Sequence, residues 1–108
     1  MIDVKWNQKE KSISRAAFDK ALKNECNHII ETIKEKAGRL SKPKEIWELE
    51  DYLYQRRIEI DQKYDYRYSV LIRVFGQLVR EGWIEMKELE GLGAEKLERI
   101  QVIAGLND

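Results

Sequence analysis

Between Cys26 and Gly76 the chain holds one glycine, Gly38, and its 108 residues hold one proline, Pro43. So long a run without breakers, and without sustained alternation of apolar and polar residues, predicts helices rather than strands. The two breakers lie close together and predict one tight turn, Leu40 to Lys42. Ser41 can cap a new helix there, and Pro43 suits its first turn. Before the turn, Phe18, Leu22, Cys26, Ile29, Ile33, Ala37 and Leu40 recur in steps of three and four. They predict a helix from about residue 12 to 40, with Ser12 and Ser14 as N-cap candidates. After it, Ile46, Leu49, Leu53, Ile60, Tyr64, Leu71, Phe75 and Leu78 mark one stripe of a second helix, about 44–80, closed by Glu81-Gly82. Gly91 and Gly93 divide short C-terminal helices within 85–104, where Leu89, Leu92, Leu97, Ile100 and Ile103 are placed to close the open end of the long pair. The expected architecture is all-α: an extended helical hairpin with one long helix and short C-terminal helices. Residues 12–108 form a single domain behind a flexible N-terminus, 1–11.

A helix over 44–80 would be about 55 Å long at 1.5 Å per residue. One partner helix and a short tail cannot wrap it, given that a compact domain of this size has a radius of gyration of about 13 Å. Its apolar stripe is therefore expected to continue into a second copy of the chain. Ile46, Leu49, Leu53 and Ile60 are the expected interface of a homodimer.

Composition narrows the function. Twenty Lys and Arg balance twenty Asp and Glu, but unevenly: residues 1–44 carry 11 against 6, a net of +5, and residues 45–108 carry 9 against 14, a net of −5. Opposed halves favour pairing of helices over binding of nucleic acid, which calls for a net basic surface. The densest basic run, Lys34 to Lys44, sits at a helix end, where cations suit the dipole. One cysteine and one histidine exclude a disulfide framework and a His/Cys zinc site within one chain. Cys26 and His28, two apart on a helix, face away from each other. Cys26 reads as a small core residue and His28 as a surface or interface one. The acids Glu59, Asp61 and Asp65 are interleaved with Arg56, Arg57, Lys63 and Arg67, which predicts salt-bridge lacing rather than a carboxylate site. No phosphate loop or nucleophile elbow occurs. No apolar run reaches a membrane span and no secretory leader opens the chain. The expectation is a cytoplasmic protein that is not an enzyme, with no cofactor, metal or nucleic acid.

What remains is a face for another protein. On the second helix Trp47, Asp51, Tyr54 and Ile58 form a stripe about 130° from the main one, at 3.6 residues per turn. Glu50 and Arg57 lie between the two. Trp, Tyr and Arg are the residues that anchor protein interfaces. Trp47, Glu50, Asp51, Tyr54 and Arg57 are therefore the candidate partner-binding residues; the alternative is that Trp47 packs in the dimer and the charges are its solvated neighbours.

The same block carries a resemblance. Ile46-Trp47-Glu48-Leu49-Glu50-Asp51-Tyr52-Leu53, then Arg56-Arg57-Ile58-Glu59-Ile60-Asp61-Gln62-Lys63-Tyr64-Asp65-Tyr66-Arg67, closely resembles the fluorescence recovery protein family of cyanobacteria. So do Ser69-Val70-Leu71-Ile72, Val74-Phe75, Glu81-Gly82, Glu88-Leu89-Glu90-Gly91-Leu92 and Lys96-Leu97. The resemblance covers roughly Ile46 to Leu106. It implies an all-helical dimer that binds the photoactivated red form of the orange carotenoid protein. Members speed its return to the orange form and help release it from the phycobilisome, ending photoprotective quenching. In that family a Trp, an Asp four residues on and an Arg ten residues after the Trp carry the activity, and Trp47, Asp51 and Arg57 occupy those places. The family usually has His before the Asp; this chain has Glu50. The resemblance further implies at most peripheral membrane association, at the cytoplasmic face of thylakoids in a cyanobacterium. The alternative is a dimeric helical scaffold or adaptor, with a different protein partner, in a bacterium lacking the carotenoid protein.

Overall fold

The computed structural model describes residues 5–106. In order along the chain stand α1 (Gln8–Gly38), α2 (Pro43–Lys63), α3 (Leu71–Glu81), a single 3-10 turn (Met86–Leu89) and α4 (Ala94–Ala104), with no strand among the described residues. The long axis measures 53 Å against 28 and 25 Å.

The head of the molecule is a small apolar core. α3 turns Leu71, Ile72, Val74, Phe75 and Leu78 inward, and the first half of α1 adds Ala17, Phe18 and Ala21. Ile84, Leu89, Leu92 and Ile100 close it from the C-terminal side. α3 and α4 cross closely because Gly76 has no side chain: a Cβ there would lie 2.3 Å from Ile103 Cγ2. α3 ends as expected at Gly82, whose φ of +84° makes the left-handed cap that glycine adopts without cost.

Burial fades along α1. Phe18 and Ala21 are buried, Leu22, Cys26, Ile29 and Ile33 are half-buried, and Ala37 and Leu40 are exposed. α2 runs back along this thinning half as the second arm of the hairpin, and none of its residues is buried. Its start is tied by Glu45, whose Oε1 accepts from the Ser41 and Lys42 backbone N–H groups (3.0 and 2.8 Å) and from Ser41 Oγ (3.1 Å).

Three expectations need correction. The second helix does not run from 44 to 80: it stops at Lys63 and resumes at Leu71. No proline or glycine breaks it. The intervening chain places Tyr64 and Tyr66 against α1, edge-on to the Phe18 ring at 5.4 and 4.9 Å, while Tyr68 meets Trp6 at 5.8 Å. Continuous helix would turn 64 and 66 some 200° apart and bring only one of them to α1. Burying aromatic rings outweighs the few helical hydrogen bonds given up. The helix length on which the dimer argument rested is therefore shorter, about 32 Å for α2. The N-terminal segment, expected to be flexible over 1–11, is ordered from Lys5 within the described residues, while 1–4 lie outside them. Trp6 is buried, and α1 starts at Gln8 rather than near residue 12. Asn7, not Ser12 or Ser14, is the cap: its side chain accepts from Glu10 N at 2.8 Å, and Glu10 Oε1 accepts from Asn7 N at 3.0 Å. Ser14 is instead buried inside the helix.

Candidate partner-binding site

The five residues singled out in the sequence share one face region of α2. From Trp47 to Arg57 they span about 15 Å of helix. All five are exposed: Trp47 by 61% and Tyr54 by 62%. The side chain of Arg57 is 83% exposed, and its Nε stands 4.0 Å from Asp61. Among the described residues Asp61, not Asp51, is the carboxylate that pairs with Arg57 within the chain. At that separation and exposure the pair is weak, which leaves the guanidinium available.

Beside this face lies the apolar stripe. Ile46 is 50% exposed and Leu53 exposed, while Leu49 and Ile60 are half-buried. A cleft of about 220 Å³ opens between Ile29, Leu53, Arg56, Arg57, Ile60 and Asp61, so the stripe and the charged face meet there. The lacing of α2 is partly as expected: Arg56 pairs with Glu59, and Arg67 with Asp65 at 2.5 Å. Asp65 is held below the usual carboxylate range by its hydrogen bonds from Arg67.

Lys63 departs from that scheme. Its side chain is 9% exposed and points inward, donating to Glu25 Oε1 and Oε2 (2.9 and 2.7 Å) and to Glu81 Oε1 (2.6 Å). Tyr64 Oη donates to Glu25 Oε1 at 2.9 Å, and Trp83 Nε1 to Glu81 Oε1 at 3.0 Å. Burial alone would push the Lys63 ammonium down and the Glu81 carboxyl up. The hydrogen bonds and charges they exchange reverse both, so Lys63 titrates above and Glu81 below its ordinary value. Burial and the Glu25 bond push the Tyr64 phenol well above its ordinary value. This cluster was hidden in the sequence, where Lys63 reads as one more charge in the lacing. The Tyr-x-Tyr-x-Tyr alternation at 64, 66 and 68 is the signal that could have exposed it, being a period-two pattern inside a helical stretch.

A second inward ion pair fixes the other end of the head. Lys96 Nζ donates to both Glu10 oxygens (3.1 and 3.0 Å) and to the Lys5 carbonyl (2.7 Å), and lies over the Trp6 ring. Burial of Glu10 raises its carboxyl, but hydrogen bonds from Asn7, Gly93 and Lys96 outweigh this and hold it low. Cys26, expected in the core, is only half-buried and lies outside it, because burial is already fading at this point of α1, and His28 is exposed beside Trp83 at 5.7 Å. Among the described residues no three His, Cys, Asp or Glu side chains stand where they could hold a metal ion. No described helix is long and apolar enough to cross a membrane.

The fold is an all-helical one, a small ion-pinned head carrying an outlying helix with an exposed aromatic and arginine-bearing face. The chain matches, over residues 6–104, the family described as photoprotection regulator fluorescence recovery protein, and it belongs to that family. It is 38% identical to the fluorescence recovery protein of Synechocystis over 104 residues, 96% of this chain and 95% of that one. The solved structure of the Fremyella diplosiphon fluorescence recovery protein superposes with a TM-score of 0.90 at 40% identity, covering 94% of this chain and 99% of that one. The Synechocystis structure does so with the same TM-score at 38% identity, covering 94% and 100%. The match extends into the first 40 residues, beyond the span read from the sequence.

Proposed function

We propose that two copies of this chain pair through Ile46, Leu49, Leu53 and Ile60, and that the dimer docks the photoactivated orange carotenoid protein on Trp47, Glu50, Asp51, Tyr54 and Arg57. Docking speeds the return of that partner from red to orange and its release from the phycobilisome. The chain is a regulator that makes and breaks no covalent bond and needs no cofactor, metal or nucleic acid. It works in the cytoplasm, at most peripherally at the thylakoid surface.

The observation that carries this reading is α2 itself: a helix with no buried residue that nonetheless displays Ile46, Trp47, Leu53 and Tyr54 to solvent. A set of large exposed apolar side chains on one helix marks an interaction site. Binding then acts by population shift. If the dimer prefers the closed arrangement of its partner's domains by about 3 kcal/mol, the equilibrium moves roughly a hundredfold. The rate gains only from the part of that preference already present at the barrier. Trp47 contributes buried area, and Arg57 charge-assisted, bidentate hydrogen bonds.

The test is dark recovery of photoactivated orange carotenoid protein, followed by absorbance with and without this chain. Acceleration is expected, with loss in Arg57→Leu and a large loss in Arg57→Lys, which keeps the charge but not the fork. Full activity in Arg57→Lys would remove the bidentate role. No acceleration by the folded wild-type dimer would favour the adaptor reading, for which Glu50 at the family's usual His position is the residue to revert first.

A further inference from the structure

The docking helix is fixed to the head by almost nothing apolar. None of the 21 residues of α2 is buried, whereas α3 next to it buries six. The firmest tie is polar and lies at the last residue of α2. Lys63 places its ammonium between Glu25 of α1 and Glu81 at the end of α3, at 2.6 to 2.9 Å. Both acceptors are held from behind, Glu25 by Tyr64 Oη and Glu81 by Gln77 Nε2 (2.9 Å) and Trp83 Nε1. The helix ends at Lys63, and the chain over 64–70 is not helical until α3 begins at Leu71. On the same side a groove of about 750 Å³ separates α2 from α1 and α3, with Tyr52 and Arg56 on one wall and Ile29 and Arg73 on the others. The groove leaves space beside α2, and the Lys63 ammonium is the buried charge that ties its last turn to α1 and α3.

We propose that Lys63 is a positioning residue: shared between Glu25 and Glu81, it sets the direction in which α2 leaves the head, and with it the placement of the Trp47 to Arg57 face. The consequence for docking rests on the reading above; the setting of the helix does not. Without the ammonium two carboxylates are left facing each other with no cation between them, and they must separate or hydrate. Either change releases α2. Arginine at 63 restores the charge and the donors.

The experiment measures the distance between spin labels at Glu48→Cys on α2 and Lys87→Cys on the head, in a Cys26→Ala background, diluted with unlabelled chain so that distances within one chain dominate. A single narrow distribution is expected for Lys63. Lys63→Met broadens it roughly two-fold or moves its mean, as for a freed hinge, while helix content stays constant. Lys63→Arg restores the narrow form. If Lys63→Met does not fold, Glu81→Leu is read in its place, since it removes one of the two acceptors together with its charge and leaves the Glu25 pair. An unchanged distribution in whichever of these folds overturns the proposal. In the recovery assay Lys63→Met then loses about tenfold or more, as displaced contacts do, and Lys63→Arg regains it. A moved helix with undiminished recovery leaves the pin standing and sinks the assignment of the docking face.

Discussion

At the scale of single residues, the inward charges set how the fold answers to pH. Glu10, Glu81 and Glu88 all titrate below their ordinary value of 4.5, each in hydrogen bonds that outweigh burial or add to a neighbouring lysine. A lowered carboxyl contributes stability that is fully present above about pH 4.5 and is lost as pH falls through the folded values. Lys63 and the Tyr64 and Tyr66 phenols run the other way. Tyr66 is pushed up to about 12 by burial and by Tyr68. Their contribution is complete below the ordinary values of 10.5 and 10.0 and is lost as pH rises through the folded ones. The melting temperature should therefore be flat across neutral pH, falling on acidification below about 4.5 and on alkalinisation above about 10. Circular dichroism melts in a pH series check this; a steep slope between pH 6 and 8 would place the stabilising charges elsewhere, on the histidine most directly.

At the scale of elements, two glycines offer opposite outcomes. A Cβ at Gly76 would overlap Ile103 at 2.3 and 2.5 Å, so Gly76→Ala must push α3 and α4 apart. The expected cost is about 1–3 kcal/mol in urea unfolding. Gly38, at the end of α1, has nothing within 4 Å of the added atom, and Gly38→Ala should be neutral or stabilise by up to about 1 kcal/mol. The hairpin turn, the cap at Gly82 and the short C-terminal helices were legible because each is written in local chemistry, in Pro43, Gly82, Gly91 and Gly93. The break at Tyr64 was not. Leu71, Phe75 and Leu78 keep the helical spacing of Ile60, so periodicity carries straight across it, and what ends α2 is a tertiary event, two tyrosines meeting Phe18. Trp47, Tyr54 and Arg57 were legible as a stripe apart from the main one, but their exposure was not, since Ile46 and Leu53 of the main stripe are exposed as well. The Lys63 cluster was not, since Glu25, Lys63 and Glu81 are far apart in the chain and each resembles an ordinary surface charge.

At the scale of the whole molecule, the proposed dimer rests on a different reason from helix length. α2 is shorter than expected, yet none of its residues is buried, and a stripe left open at Ile46 and Leu53 calls for a partner as much as an overlong helix does. Ile46→Glu places a charge in that stripe and should give monomers in light scattering, at a folded helix content close to wild type. A variant that still scatters as a dimer would move the interface away from Ile46. The outline of the chain bears on how such a result is read. A body 53 Å long and 28 by 25 Å across has an axial ratio near two, and its radius of gyration of 16.9 Å exceeds the roughly 13 Å of a compact domain of this length. It drags more water as it tumbles than a sphere of equal mass. On a sizing column calibrated with globular standards a single chain elutes early, under the guise of something heavier, so elution volume alone would report an assembly where there is only a rod.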